Sequence, residues 1–142
     1  MVEYVLTINS GNGKSYKKEL TEQESDNLLN KKLKDNIKGD LIGFKGYTFK
    51  ITGGSDKNGF PIREDVSPGT RKKPLVVSGT GAKLKARGVK QRKTVRGNII
   101  DDNIKQINLK VEKEGANKLE EVFDSPNKEK STEQGTIEKN SK

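Results

Sequence analysis

Between Pro61 and Gly97 the chain sets eleven basic residues against two acids, Glu64 and Asp65, so this one segment carries a charge of +9. The whole chain of 142 residues also has a net charge of +9, from 29 basic and 20 acidic side chains, so everything outside the segment is electrically neutral. Clustered like charges repel and raise the energy of a compact state unless a polyanion neutralises them. The pattern therefore calls for a neutral folded body that carries a cationic strip toward an anionic partner. Nucleic acid is the favoured partner. An anionic membrane fits less well, because the segment lacks the large apolar face that an interfacial helix inserts.

Composition limits the body that can carry such a strip. Hydrophobic residues make up 28% of the chain, and even with its 15 glycines the total stays below the roughly 45–50% usual for globular proteins. One small core is expected, with part of the chain outside it. With no cysteine and no histidine, disulfides, thiolate nucleophiles, Cys-type zinc sites and Ser-His activation are all excluded. A carboxylate-held Mg²⁺ site needs neither residue and stays open. The N-terminal "MVEYVLTINSG" has no basic segment leading into an apolar stretch, and no run approaches the ~20 apolar residues that span a bilayer. A soluble, cytoplasmic protein is expected.

Periodicity places the elements. Tyr4, Leu6 and Ile8 alternate on one face, and Asn12-Gly13 turns the chain back through Tyr16 and Leu20, which predicts a β-hairpin. Thr21 stands three residues before Glu24 at capping-box spacing, and Leu28, Leu29 and Leu33 follow at helical intervals, predicting a helix of two or three turns. "GYTFKITGG" alternates Tyr47, Phe49 and Ile51 and is expected to stop at Gly53-Gly54. Gly59 and Pro61 then make "SDKNGFPI" a rigid loop. "PLVVS" (74–78) reads as a short buried strand, and "IKQINLKV" puts Ile107, Leu109 and Val111 on one side of another. "EGANKLEEVFD" fits a short helix around Leu119 and Val122. From Asp124 onward the composition cannot offset the entropy of ordering, so a disordered tail is expected.

The fold class that follows is mainly β, a β-rich α+β chain forming a small β-barrel with one or two short helices. The expected organisation is a β-barrel RNA-binding domain over 1–115 with a basic loop region at 61–97, a short helix at 116–123, and the tail at 124–142.

Motifs that suggest catalysis are weak. "GNGKS" (11–15) resembles the end of a phosphate-binding loop but has Ile8 where the first glycine belongs, and it lies between strands rather than before a helix. "GTGAKL" has Leu84 at its third glycine position and no surrounding βαβ pattern. Asp56 suits an Asx turn or pairing with nearby cations better than chemistry. Adjacent Asp101 and Asp102 are candidates for Mg²⁺, though a turn or helix start explains them more simply. No metal, cofactor or small-molecule substrate is expected.

The basic segment mixes Arg forks, which grip phosphate bidentately, with Lys point charges, and glycines let backbone approach a ligand. Phe60 is the only aromatic residue between positions 50 and 122. Contact is therefore expected with phosphates, 2′-hydroxyls and RNA shape rather than with stacked bases. The candidate RNA-binding residues are Lys57, Arg63, Arg71, Lys72, Lys73, Lys83, Lys85, Arg87, Lys90, Arg92, Lys93 and Arg96. Replacing Lys90, Arg92, Lys93 and Arg96 together is expected to weaken salt-dependent binding and leave the fold intact.

Two blocks, "GYTFKITGGSDKNGFPI" (46–62) and "KQRKTVRGNIIDDNIKQINLKV" (90–111), resemble the archaeal and eukaryotic small-subunit ribosomal protein S6e family. The resemblance runs from about Val2 to Gly115, with its most specific stretches at "ITGGSDKNGFP" and "RKTVRG". It implies a non-catalytic β-barrel protein, bound to ribosomal RNA in the cytoplasmic small subunit beside neighbouring ribosomal proteins and monomeric off the ribosome. By position it carries over Lys57, Arg71 to Lys73 and Lys83 to Arg96 as RNA-facing. Ile62 stands where methionine is common, and Gln91 interrupts a block that is usually basic. The long basic helix with phosphorylated serines of eukaryotic members has no counterpart in the near-neutral tail. Composition alone also fits a non-ribosomal nucleic-acid-binding protein or translation regulator.

Overall fold

The computed structural model describes residues 3–66, 71–83 and 86–123. Strands β1 (Val5–Asn9) and β2 (Ser15–Glu19) form the expected antiparallel hairpin. Its turn needs left-handed backbone at Gly11 and Gly13, both at φ +81°, where a side chain would be strained. The Asn9 side chain tightens the turn by accepting a hydrogen bond from the Gly11 amide at 2.9 Å.

The sheet is built around β7 (Ile104–Lys113), which pairs in parallel with β1 and antiparallel with β4 (Thr48–Asp56). Strand β3 (Asn36–Lys38) adds to the far side of β4, giving the order β2-β1-β7-β4-β3. The period-2 pattern put most of the right residues inside: Tyr4, Leu6, Ile8, Phe49, Ile51 and Ile107 are fully buried, Leu109 nearly so and Val111 half-buried, while Ile104, out of phase with Ile107, is also buried. A side chain of this kind contributes about 1.5–3 kcal/mol when taken out of water. The core also holds Leu119 at the start of helical residues 119–123, and Phe123 stacks on Tyr16 with ring centroids 4.8 Å apart. The core thus reaches past Gly115 into the expected short helix. The expected disordered tail lies outside the described residues.

Four expectations change. The sheet is mainly β as expected but open: among the described residues no ladder joins β2 to β3, so the barrel does not close. The basic stretch beyond β4 forms the two-residue strands β5 (Leu75–Val76) and β6 (Gln91–Arg92), plus single bridges such as Ile62 to Arg96 and Ser55 to Pro61 at the end of β4. Strand β4 does not stop at Gly53-Gly54 but runs on to Asp56 through a register shift. A Cβ on Gly54 would stand 2.5 Å from the Gln106 carbonyl oxygen, so the glycine permits close approach to β7 and ends nothing.

Helix α1 (Glu22–Asp26) is shorter than predicted, although its Thr21–Glu24 capping box forms. Beyond it the chain enters left-handed backbone at Asn30 and Lys34, and the Asn30 and Leu33 amides donate to the Ile100 and Asn98 carbonyls. Those bonds replace helical ones. Leu28 is buried and Leu29 and Leu33 are half-buried from a non-helical backbone, so helical spacing signalled burial but not helix. Finally, "PLVVS" is not a buried strand: only Val76 is inside, with Leu75 and Val77 exposed.

Candidate nucleic-acid interface

At its last residue β4 delivers Asp56 into the interior with its side chain fully buried. One carboxylate oxygen accepts from Arg71 Nε at 2.7 Å and Arg96 Nη1 at 3.1 Å, and the other accepts from the Asn58 amide in an Asx turn. Arg96 in turn donates through Nη2 to Asp101 at 2.5 Å, and the Asp101 carbonyl accepts from the Tyr4 hydroxyl at 3.0 Å. Arg71 also lies over the Phe60 ring, 4.9 Å from its centroid. The Arg71 guanidinium leads in holding the Asp56 carboxyl down, to about 2 against an ordinary 3.8. Both partner arginines come from the basic segment and both acids come from outside it, so the network pins the strip to the sheet.

A second anchor sits nearby. Arg63 pairs with Asp65 at 2.6 Å and donates to the Thr80 and Ser78 carbonyls at 3.0 and 3.1 Å, holding the loop around Gly79 and Gly81. Gly79 is at φ +97°, and a Cβ there would touch the Arg63 guanidinium. Segments 71–76 and 91–96 then run antiparallel through the β5–β6 pair and the Lys72–Val95 bridge, with Arg92 Nη1 donating to the Lys73 carbonyl at 3.1 Å. This brings Lys72 and Lys73 alongside Arg92 and Lys93.

The twelve candidates therefore divide. Arg63, Arg71 and Arg96 are committed to partners inside the molecule, Arg96 being 5% exposed. Lys57, Lys72, Lys73, Lys83, Arg87, Lys90 and Arg92 are exposed and Lys93 is half-buried, while Lys85 lies outside the described residues. Among the described residues no ion pair engages Lys57, Lys73, Lys83, Arg87, Lys90, Arg92 or Lys93. The expectation that Arg96 could be removed without structural consequence is at odds with its burial between two carboxylates. Asp56 does what its sequence context suggested, both as an Asx turn and as a cation partner. No group of three or more acidic side chains able to hold a metal ion occurs among the described residues, and Asp101 serves a turn and an ion pair. Sequence reading missed the tie from Tyr4, just before β1, and the exposure of Leu75 and Val77. For the latter, the one signal was the basic residues on either side of "PLVVS".

The known proteins that this chain resembles are ribosomal proteins of the small subunit. It is 46% identical over 115 residues to the small ribosomal subunit protein eS6 of Methanosphaera stadtmanae, covering 81% of this chain and 88% of that one. It is 44% identical over 110 residues to the protein of the same name from Methanothermobacter thermautotrophicus, covering 78% and 87%. The family model for ribosomal protein S6e matches residues 5–124. The chain belongs to the ribosomal protein S6e family, whose members are structural, non-enzymatic constituents.

Proposed function

We propose that the protein is a structural constituent of the small ribosomal subunit that binds ribosomal RNA through the exposed cations of its basic, glycine-rich segment. The supporting observation is the division within that segment. Arg96 is buried between Asp56 and Asp101, Arg71 pairs with Asp56 and Arg63 with Asp65, whereas Lys73, Lys83, Arg87, Lys90, Arg92 and Lys93, with Lys57 just before the segment, have no ion pair among the described residues. Arg63, Arg71 and Arg96 hold the shape, and the exposed side chains displace counterions from phosphates. Placement in the cytoplasm on the ribosome, beside neighbouring ribosomal proteins, belongs to the same reading. Sedimentation of cell extract through a sucrose gradient tests it: the protein should travel with small subunits and be released by high salt. Migration only at the top of the gradient in low salt would assign it to a free nucleic-acid-binding role instead.

A further inference from the structure

The described chain leaves four large hydrophobic side chains exposed, and three of them, Leu75 at 54%, Val77 at 48% and Val89 at 37%, lie on or beside the β5–β6 pair. Leu75 on β5 and Val77 one residue beyond its end are both exposed on either side of buried Val76. The register sets Leu75 opposite Arg92, which puts that cation on the same side of the pair, and Lys90, just before β6, is exposed. Exposed apolar and cationic side chains are thus mixed on and beside the β5–β6 pair. A protein-binding surface has a core depleted of charge, Lys above all. Here Leu75 and Val89 instead have cations as neighbours: Lys73 two residues before Leu75, Arg92 across from it, and Lys90 next to Val89 in the chain. That arrangement suits a nucleic acid, where anionic phosphates flank the apolar faces of riboses and bases.

We propose that Leu75 and Val77 form an apolar ridge that packs against ribose or base surface of RNA while Arg92 and Lys90 engage the flanking phosphates. This rests on the RNA-binding reading above and adds a contact that releases no counterion. Apolar and ionic contributions then separate by their response to salt. Cations set the slope of log affinity against log salt concentration, and the ridge sets its height.

The test measures binding of the full-length protein to purified small-subunit ribosomal RNA from 50 to 200 mM salt. Leu75→Ser with Val77→Ser should lower affinity by about tenfold at every salt concentration with the slope unchanged, the scale expected for losing two partly buried aliphatic contacts. Both positions are exposed, and the more conservative Leu75→Gln with Val77→Thr provides a second variant whose urea unfolding should match the parent. A line that superimposes on the parent's would overturn the ridge, as would a flattened slope. Parent-like RNA binding combined with loss of the variant from assembled subunits would assign the patch to a protein neighbour and overturn it equally. If the unsubstituted protein itself bound this RNA without salt dependence, it is the RNA-binding reading that would fail, so the two failures are distinct.

Discussion

Replacing Asp56 by asparagine keeps the shape of the side chain and removes the charge that two arginines share. The carboxyl is fully buried, and its pKa is lowered from 3.8 to about 2. At 1.36 kcal/mol per unit, the ionised form stabilises the fold by about 2 kcal/mol relative to the protonated form. Because the folded-state value is depressed, that contribution is fully present above about pH 4 and is lost as pH falls toward 2. Removing one partner of a buried ion pair costs about 3–5 kcal/mol when nothing replaces it. Arg96 keeps Asp101, and the Arg71 side chain is 37% exposed and can reach water. The loss for Asp56→Asn is therefore expected at the lower end, about 2–3 kcal/mol at pH 7. Urea unfolding at pH 7 and in steps down to pH 2 measures both quantities. The variant should be weaker at neutral pH and should lack most of the parent's decline between pH 4 and pH 2. Equal stability at pH 7, or an undiminished acid decline in the variant, would refute the network as a source of stability.

Arg96→Ala should cost more than Asp56→Asn, about 3–5 kcal/mol, because it removes a buried side chain that bridges two carboxylates and leaves buried Asp56 with Arg71 as its one charged partner, and Arg96→Lys should recover little since one ammonium cannot fork between two carboxylates; thermal unfolding reads both. Gly54→Ala should destabilise by about 1–3 kcal/mol, since its new methyl meets the Gln106 backbone oxygen and the Ile62 side chain, whereas Gly53→Ala, with nothing nearer than 3.9 Å, should be milder. Phe123→Ala should loosen the end of the sheet through loss of the Tyr16 stack, read as faster amide exchange in β2 with the Leu6–Ile107 core protected.

Where one face of a strand is buried, alternation located it: Leu6 and Ile8, Phe49 and Ile51, and Ile107 and Leu109 all stand inside as expected. The parallel pairing of β1 with β7 was illegible because it joins segments about a hundred residues apart, and nothing local encodes it. The leucines after Thr21 misled because three side chains at helical spacing can reach a core from irregular backbone, and left-handed Asn30 and Lys34 give no strong warning. At the site, charge counting found the cationic strip but could not sort its members. Arg63, Arg71 and Arg96 read the same as Lys73 or Lys90 in sequence, and only the positions of Asp56, Asp101 and the 78–80 carbonyls separate anchors from exposed cations.

That sorting is tested most directly by the salt dependence of binding to small-subunit ribosomal RNA, comparing the protein with its Lys73→Ala, Lys83→Ala, Lys90→Ala triple variant. With about six phosphates contacted, affinity should fall on the order of 10³-fold between 50 and 200 mM salt, and the variant's slope should be shallower by about 2–3. Its urea unfolding should be unchanged, since all three side chains are exposed and make no ion pair among the described residues. A parent that binds independently of salt, or a variant whose slope equals the parent's, would contradict the account.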